Sequence, residues 1–214
     1  LRRIIRPVYL LWTVLAALTS AGLAYTPRPL PELAPEECPA WQRSDNVTMG
    51  ARPYVGQDAI RELFDTKEVH KSGIVPVLLV IRNDNPFAVA LGFGGAAVVD
   101  SLGQRNPALP YPNVVAALLQ QREIRSVGSG PIPDLSALRT GKTADLIQDF
   151  RDKSLDMERI APQTTLRKVL FFRLGTAPDA LDGAMLYYGE IYNEDTGEEL
   201  IFFEFELKLP PMPE

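Results

Sequence analysis

Three pairs of adjacent aromatic residues, Phe171-Phe172, Tyr187-Tyr188 and Phe202-Phe203, lie in strand-like runs near the end of the chain. In an extended strand, neighbouring side chains point to opposite faces. One ring of each pair therefore turns away from any single core, and the sheet that carries it needs cover on its second face. A helix or a partner can supply that cover. Helices inserted earlier in the chain are the expected source.

The runs that carry these pairs, 166–174, 184–192 and 199–209, read as strands. The last two are joined by Asn193-Glu194-Asp195-Thr196-Gly197, a five-residue loop with glycine where a left-handed residue is needed. In the final run Phe203, Phe205, Leu207 and Leu209 alternate with Phe202, Glu204, Glu206 and Lys208, so one face is core and the other solvent. A second group of strands lies earlier. Residues 74–82 (IVPVLLVIR) form a β-rich run in which Pro76 suits a strand start or an edge. The turn Asn83-Asp84-Asn85-Pro86 follows, then runs 87–91 and 96–100 separated by Gly92, Gly94 and Gly95.

Helical spacing is found at 57–69 (Ala59, Ile60, Leu63, Phe64), at 114–122 (Val114, Val115, Leu118, Leu119, with Asn113 as cap) and at 144–157 (Ile147, Phe150 and Met157 inward). Strands bunched at both ends, with helices between, do not alternate as βαβα, which disfavours a parallel doubly wound sheet. The expected fold is mainly β: an antiparallel immunoglobulin-like sandwich over 53–209, with helical insertions near 113–122 and 144–157 and a proline-rich tail at 210–214. The stretch Asn83-Asp84-Asn85-Pro86-Phe87-Ala88-Val89-Ala90-Leu91, after an apolar strand, resembles immunoglobulin-like domains of the late-embryogenesis-abundant type 2 kind over about 74–103. That resemblance implies a sandwich with a binding or structural role, and it carries no catalytic residue.

The start of the chain is of another character. Arg2, Arg3 and Arg6 precede a charge-free apolar run from 7 to 24, with Gly22 and Ala24 at the −3 and −1 positions of a signal-peptidase cut. The run also reaches the lower end of a bilayer span, roughly 17–25 residues, so 1–24 reads as a signal peptide or a signal anchor. Either way the arginines stay cytoplasmic and the remainder is exported to the periplasm or cell envelope. The chain opens with Leu1, which implies an unusual start codon or a trimmed terminus. Residues 25–52, with Pro27, Pro29, Pro31, Pro35 and Pro39, are expected to be an extended spacer. Cys38 lies too far from the apolar run to be a lipoprotein cysteine and is expected to be a free thiol in a mobile segment.

Composition then excludes chemistries. One histidine (His70) and one cysteine rule out a Cys/His zinc site and an internal disulfide within the chain. A net charge of −5, becoming −8 without the three leader arginines, is wrong for a nucleic-acid binder. Gly92-Phe93-Gly94-Gly95-Ala96-Ala97 formally matches a dinucleotide fingerprint, but strand-like residues follow it where a helix is required. Gly141-Lys142-Thr143 ends like a P-loop, yet Ser136 stands where the first glycine belongs; Thr140 or Thr143 reads better as a helix cap. No cofactor or nucleotide is expected.

Asp145, Asp149, Asp152 and Asp156 share one helical stripe, a weak candidate for a metal against the plainer reading of a solvated face. The acids Glu190, Glu194, Asp195, Glu198, Glu199, Glu204 and Glu206 of the last hairpin are the other candidates, as a catalytic carboxylate pair. His70 reads as a cation at a helix end. The expected function is an exported envelope protein, free or membrane-tethered, that is not an enzyme. Its expected partner is another envelope protein, with the membrane touched only through the N-terminal segment. The alternative is a carboxylate-dependent envelope hydrolase.

Overall fold

The computed structural model describes residues 25–126, 142–175, 181, 183–200 and 202–209. The apolar run 7–24, the tail 210–214 and the Gly141 end of the P-loop-like tripeptide lie outside them. Among the described residues no helix is long and apolar enough to cross a membrane.

All the paired strands are antiparallel. The first sheet has the order β1-β2-β3-β8, from β1 (Ala40–Ser44), β2 (Val47–Pro53), β3 (Ile74–Asn83) and β8 (Thr164–Arg173). A second sheet has the order β10-β4-β7: β10 (Ile191–Asn193), β4 (Val89–Leu91), β7 (Glu158–Ile160). The third has the order β11-β9-β5-β6: β11 (Phe203–Glu206), β9 (Met185–Tyr188), β5 (Ala97–Val99), β6 (Arg105–Pro107). The antiparallel, β-rich class is thus as the sequence indicates.

Strands β3 and β8 pair along their full length, from Ile74 opposite Arg173 to Asn83 opposite Thr164. Pro76 sits inside the sheet rather than on its edge. A residue in an antiparallel strand points its N–H and C=O the same way, and the Pro76 carbonyl accepts the Tyr54 N–H (2.9 Å) just beyond the end of β2. Its missing donor therefore faces a place where the neighbouring strand has already stopped, and no ladder bond is lost.

Both faces of this sheet are covered. Val75, Val77, Leu79 and Ile81 of β3, with Leu170 and Phe172 of β8, meet residues of the other two sheets: Val89, Leu91, Ile160 and Ile191 of the second, Val98, Leu186 and Phe203 of the third. Ile74, Leu78 and Val80, with Val169 and Phe171, pack instead against a helical layer. That layer consists of α1 (Gln57–Leu63), α2 (Glu68–Lys71), α3 (Tyr111–Ser126) and α4 (Lys142–Lys153). Phe171 lies 5.7 Å from Phe64 and 5.6 Å from Phe150, and those two rings stack at 4.1 Å. Phe171 and Phe172 thus point into two separate cores.

Several expectations are corrected. The segment 25–52 is no spacer: β1 and β2 lie within it, and Tyr25, Pro35 and Cys38 are buried. It is fastened by Arg82, whose guanidinium donates to both Glu36 oxygens (2.9 and 2.6 Å), and by Arg167 Nε to the Leu33 carbonyl (3.2 Å). The hairpin at its end turns on Asp45 and Asn46, both at positive φ, the two-residue turn that matches the twist of paired strands. The proposed helix 57–69 is two short ones, because Phe64 adopts an extended conformation that ends α1. Helix α3 starts at Tyr111, with Pro112 in its first turn, so Asn113 is inside the helix rather than its cap. Helix α4 ends at Lys153, and Met157, expected inward, is 84% exposed.

The C-terminal hairpin has the expected loop and a single register, Tyr192 opposite Glu199 and Phe203 opposite Tyr188. It is bent at Gly189-Glu190, where Glu190 takes a positive φ, so that β10 joins the second sheet and β9 the third.

Candidate functional site

Four sets of polar residues compete for a functional role, beginning with the aspartate stripe. Because α4 ends at Lys153, the four aspartates do not form one exposed row. Asp145 is exposed, Asp152 is exposed and accepts from Gln148 Nε2 (2.7 Å), and Asp156 lies beyond the helix. Asp149 is buried, and its carboxylate accepts from the Tyr25 hydroxyl and from Lys153 Nζ (2.7 Å to Oδ1, 2.8 Å to Oδ2). Lys153 Nζ also donates to the Leu63 carbonyl at the end of α1 (2.7 Å) and stands 4.9 Å from the Phe64 ring centre. Burial holds the Lys153 ammonium below the usual lysine range, against the opposing pull of Asp149. Burial, then the bond to Asp149, pushes the Tyr25 phenol above its ordinary value. This network fastens α4, α1 and the start of the described chain to one another. Among the described residues no group of three or more His, Cys, Asp or Glu side chains could hold a metal ion.

The acidic hairpin gathers nothing either. Glu194, Asp195, Glu198, Glu199, Glu204 and Glu206 are exposed; Glu194 pairs with Arg159 (2.5 Å) and Glu204 accepts the Tyr187 hydroxyl. His70 is half-buried in the last turn of α2. Cys38 is buried under Ala34-Pro35 rather than mobile, and burial pushes its thiol up to about 11. Its thiolate is scarce at neutral pH, so it is a poor nucleophile.

The glycine run is explained by close packing within the sheets. Between the register of β4 with β10 and that of β5 with β9, five residues (92–96) face three (188–190). The extra length is fixed by two hydrogen bonds: Gly92 N–H to the Glu190 carbonyl (2.8 Å), and the Tyr188 side-chain hydroxyl to the Gly92 carbonyl (2.8 Å). The Glu190 side chain lies flat over the loop. A Cβ on Gly92 would come within 2.3 Å of its carboxylate, and one on Gly94 within 2.8 Å. Close approach therefore demands these glycines, and Phe93 between them packs against the core between the sheets.

Phe93 forms one wall of a surface recess of about 180 Å³. Pro110, Tyr111 and Pro112, at the junction of β6 and α3, form the second wall, and Leu155 and Asp156, between α4 and β7, form the third. Phe93 packs on the core between the sheets and Tyr111 on the core beneath the helices, so the recess opens at the seam of the two. Leu155 is buried, while Asp156 is exposed; its carboxylate accepts the Met157 N–H (2.9 Å) and makes no ion pair among the described residues. No sequence signal joined Phe93, Tyr111 and Asp156, because they come from three loops that only the fold brings together. A larger open cleft of about 480 Å³ lies at the far turn, lined by Asp100, Ser101, Gln104, Asn106 and Arg173 among others. Its lining mixes polar groups with Leu102 and Leu174, and its acid is engaged inside its own turn, where Asp100 Oδ1 accepts the N–H groups of Leu102 and Gln104.

No family model matches the chain, and no curated protein matches it. Among solved structures it is similar to the yjhA protein from Bacillus subtilis, with 9% identity and a TM-score of 0.42 over 80% of this chain and 98% of that one. It is also similar to the Northeast Structural Genomics Consortium target SoR45, with 13% identity and a TM-score of 0.33 over 81% of this chain and 94% of that one.

Proposed function

We propose that the chain is an exported protein of the cell envelope with a non-catalytic binding or structural role, on an immunoglobulin-like sandwich faced by helices. The observation that carries the reading is the contrast between its two kinds of polar group. Two buried sets are engaged internally: Tyr25 with Asp149 and Lys153, and Asn83 with the carbonyls of Phe87 and Ile160 (2.9 and 3.2 Å). The Asp156 carboxylate, at the mouth of an apolar recess, makes no ion pair among the described residues and can meet a ligand. Such a surface suits recognition by shape and charge. The arginine-flanked apolar run at 1–24 supports export.

The test is fractionation of cells making the full chain, followed by cross-linking in the envelope. Recovery outside the cytoplasm in a defined cross-linked complex is expected. A protein found free in the cytosol overturns the proposal.

A further inference from the structure

We propose that the Phe93–Tyr111–Asp156 recess is a socket for a single basic side chain, an arginine or lysine, presented by a partner polypeptide. This rests on the binding role inferred above and names its chemistry. Size comes first. At about 180 Å³ the recess falls below the roughly 300–1,000 Å³ of small-molecule sites, and suits one side chain rather than a cofactor. Its walls are aromatic and aliphatic, from Phe93, Pro110, Tyr111, Pro112 and Leu155, which fits the apolar stem of a long basic residue. Aromatic faces also attract a cation once part of its water is removed.

Charge then selects the sign. Asp156 supplies a carboxylate at the rim with no cation paired to it among the described residues. The start of α3 also borders the recess, and a helix N-terminus would ordinarily favour an anion. Here it has little to offer one: residue 112 is proline, and the N–H groups of Asn113 and Val114 are both taken by the Pro110 carbonyl (3.0 and 3.3 Å). An anionic occupant would face the Asp156 carboxylate, whereas a cation gains from that carboxylate and from the aromatic walls.

The experiment measures fluorescence anisotropy of a labelled Gly-Arg-Gly-Gly-Arg-Gly peptide against the full chain in a neutral detergent. The comparison peptide carries citrulline at both arginine positions, keeping the shape and removing the charge. The arginine peptide is expected to bind at least fivefold more tightly than the citrulline one, and Asp156→Asn and Phe93→Ala are each expected to weaken it about fivefold to tenfold. Asp195→Asn, an exposed acid on the far hairpin loop, should leave affinity unchanged. Equal binding of the two peptides, no binding up to millimolar peptide, or an equal loss with Asp195→Asn overturns the socket. Thermal unfolding of each variant confirms that the fold persists, and Asp156→Asn, a change at an exposed position, keeps the test valid if Phe93→Ala does not fold. Because the readout is taken in vitro, a failed socket leaves the envelope assignment standing, and a cytosolic location would leave the socket standing.

Discussion

The first sheet and the third sheet carry the same sequence device, adjacent aromatic residues in a strand, and treat it in opposite ways. On β8, Phe171 enters the helical core and Phe172 the core between the sheets, and both are fully buried. On β9 and β11 only Tyr188 and Phe203 are buried; Tyr187 is half-exposed and Phe202 is 56% exposed. The helices cover one sheet, the one whose strands β3 and β8 run ten residues each and carry apolar side chains on both faces. The third sheet alternates instead, with Glu204 and Glu206 beside Phe202 on its outer face, and needs no second layer. A doubled aromatic thus signals two covered faces only where its strand neighbours are apolar on both sides.

The helical cover is fastened by a buried ion network, and breaking it is among the most damaging single changes expected. Asp149→Ala leaves the Lys153 ammonium buried and unpaired, at an expected loss of about 3–5 kcal/mol in urea unfolding. Replacing the whole set with apolar groups, as Tyr25→Phe, Asp149→Leu and Lys153→Met together, should recover most of that loss, since no charge remains to desolvate. A triple variant no better than the single would mean that the network contributes through geometry rather than charge. Phe171→Ala and Phe172→Ala come next, each costing about 3–5 kcal/mol by leaving a ring-sized void. Nearly equal losses confirm two equivalent cores; a loss under about 1 kcal/mol for Phe171→Ala would mean that the helices lie loosely on the sheet.

The antiparallel class and the long strands were legible because β3 and β8 consist of β-branched and aromatic residues bounded by strong turns. The short strands were not. In β6 (Arg105–Pro107) and β7 (Glu158–Ile160) three residues carry no periodicity, and their pairing is decided by what lies alongside. The start of the sheet was hidden by prolines that read as a spacer. Yet Asp45-Asn46, two residues suited to left-handed backbone between β-rich neighbours, was a hairpin signal in plain sight. The Asp149–Lys153 spacing was present too, as an i,i+4 pair, but nothing in the sequence showed that it would be buried under Tyr25. The recess was illegible in principle, because its three walls are more than fifteen residues apart along the chain and each is unremarkable alone.

Within the helical layer, one conservative substitution separates satisfied from unsatisfied hydroxyls. Tyr25→Phe removes a hydroxyl bonded to a buried carboxylate and should cost about 1–2 kcal/mol. Tyr54→Phe removes a buried hydroxyl with no partner and should be neutral or stabilise by up to about 1 kcal/mol. The pH dependence checks the assignment. The folded state holds the Tyr25 proton more tightly than the unfolded chain, so its contribution is complete below about pH 10 and is lost as pH rises beyond that through the raised folded value. The gap between wild type and Tyr25→Phe should therefore narrow above about pH 10. A gap that widens there would mean that the phenolate, not the phenol, is the stabilised form.

The smallest effect is expected on the open face. Phe202→Ser should change stability by no more than about 0.5 kcal/mol, since the ring is more than half exposed and its strand neighbours on that face are charged. Phe202 follows the bend at Gly189-Glu190 and precedes β11, whose Glu204 N–H is already met by Gln42 Oε1 of β1 (3.1 Å), so the strand edge stays satisfied when the ring is lost. The prediction is checked by urea unfolding at two protein concentrations. A loss near 2 kcal/mol that grows with concentration would show the outer face of the third sheet to be covered by a second copy. The two sheets would then differ only in where their second layer comes from.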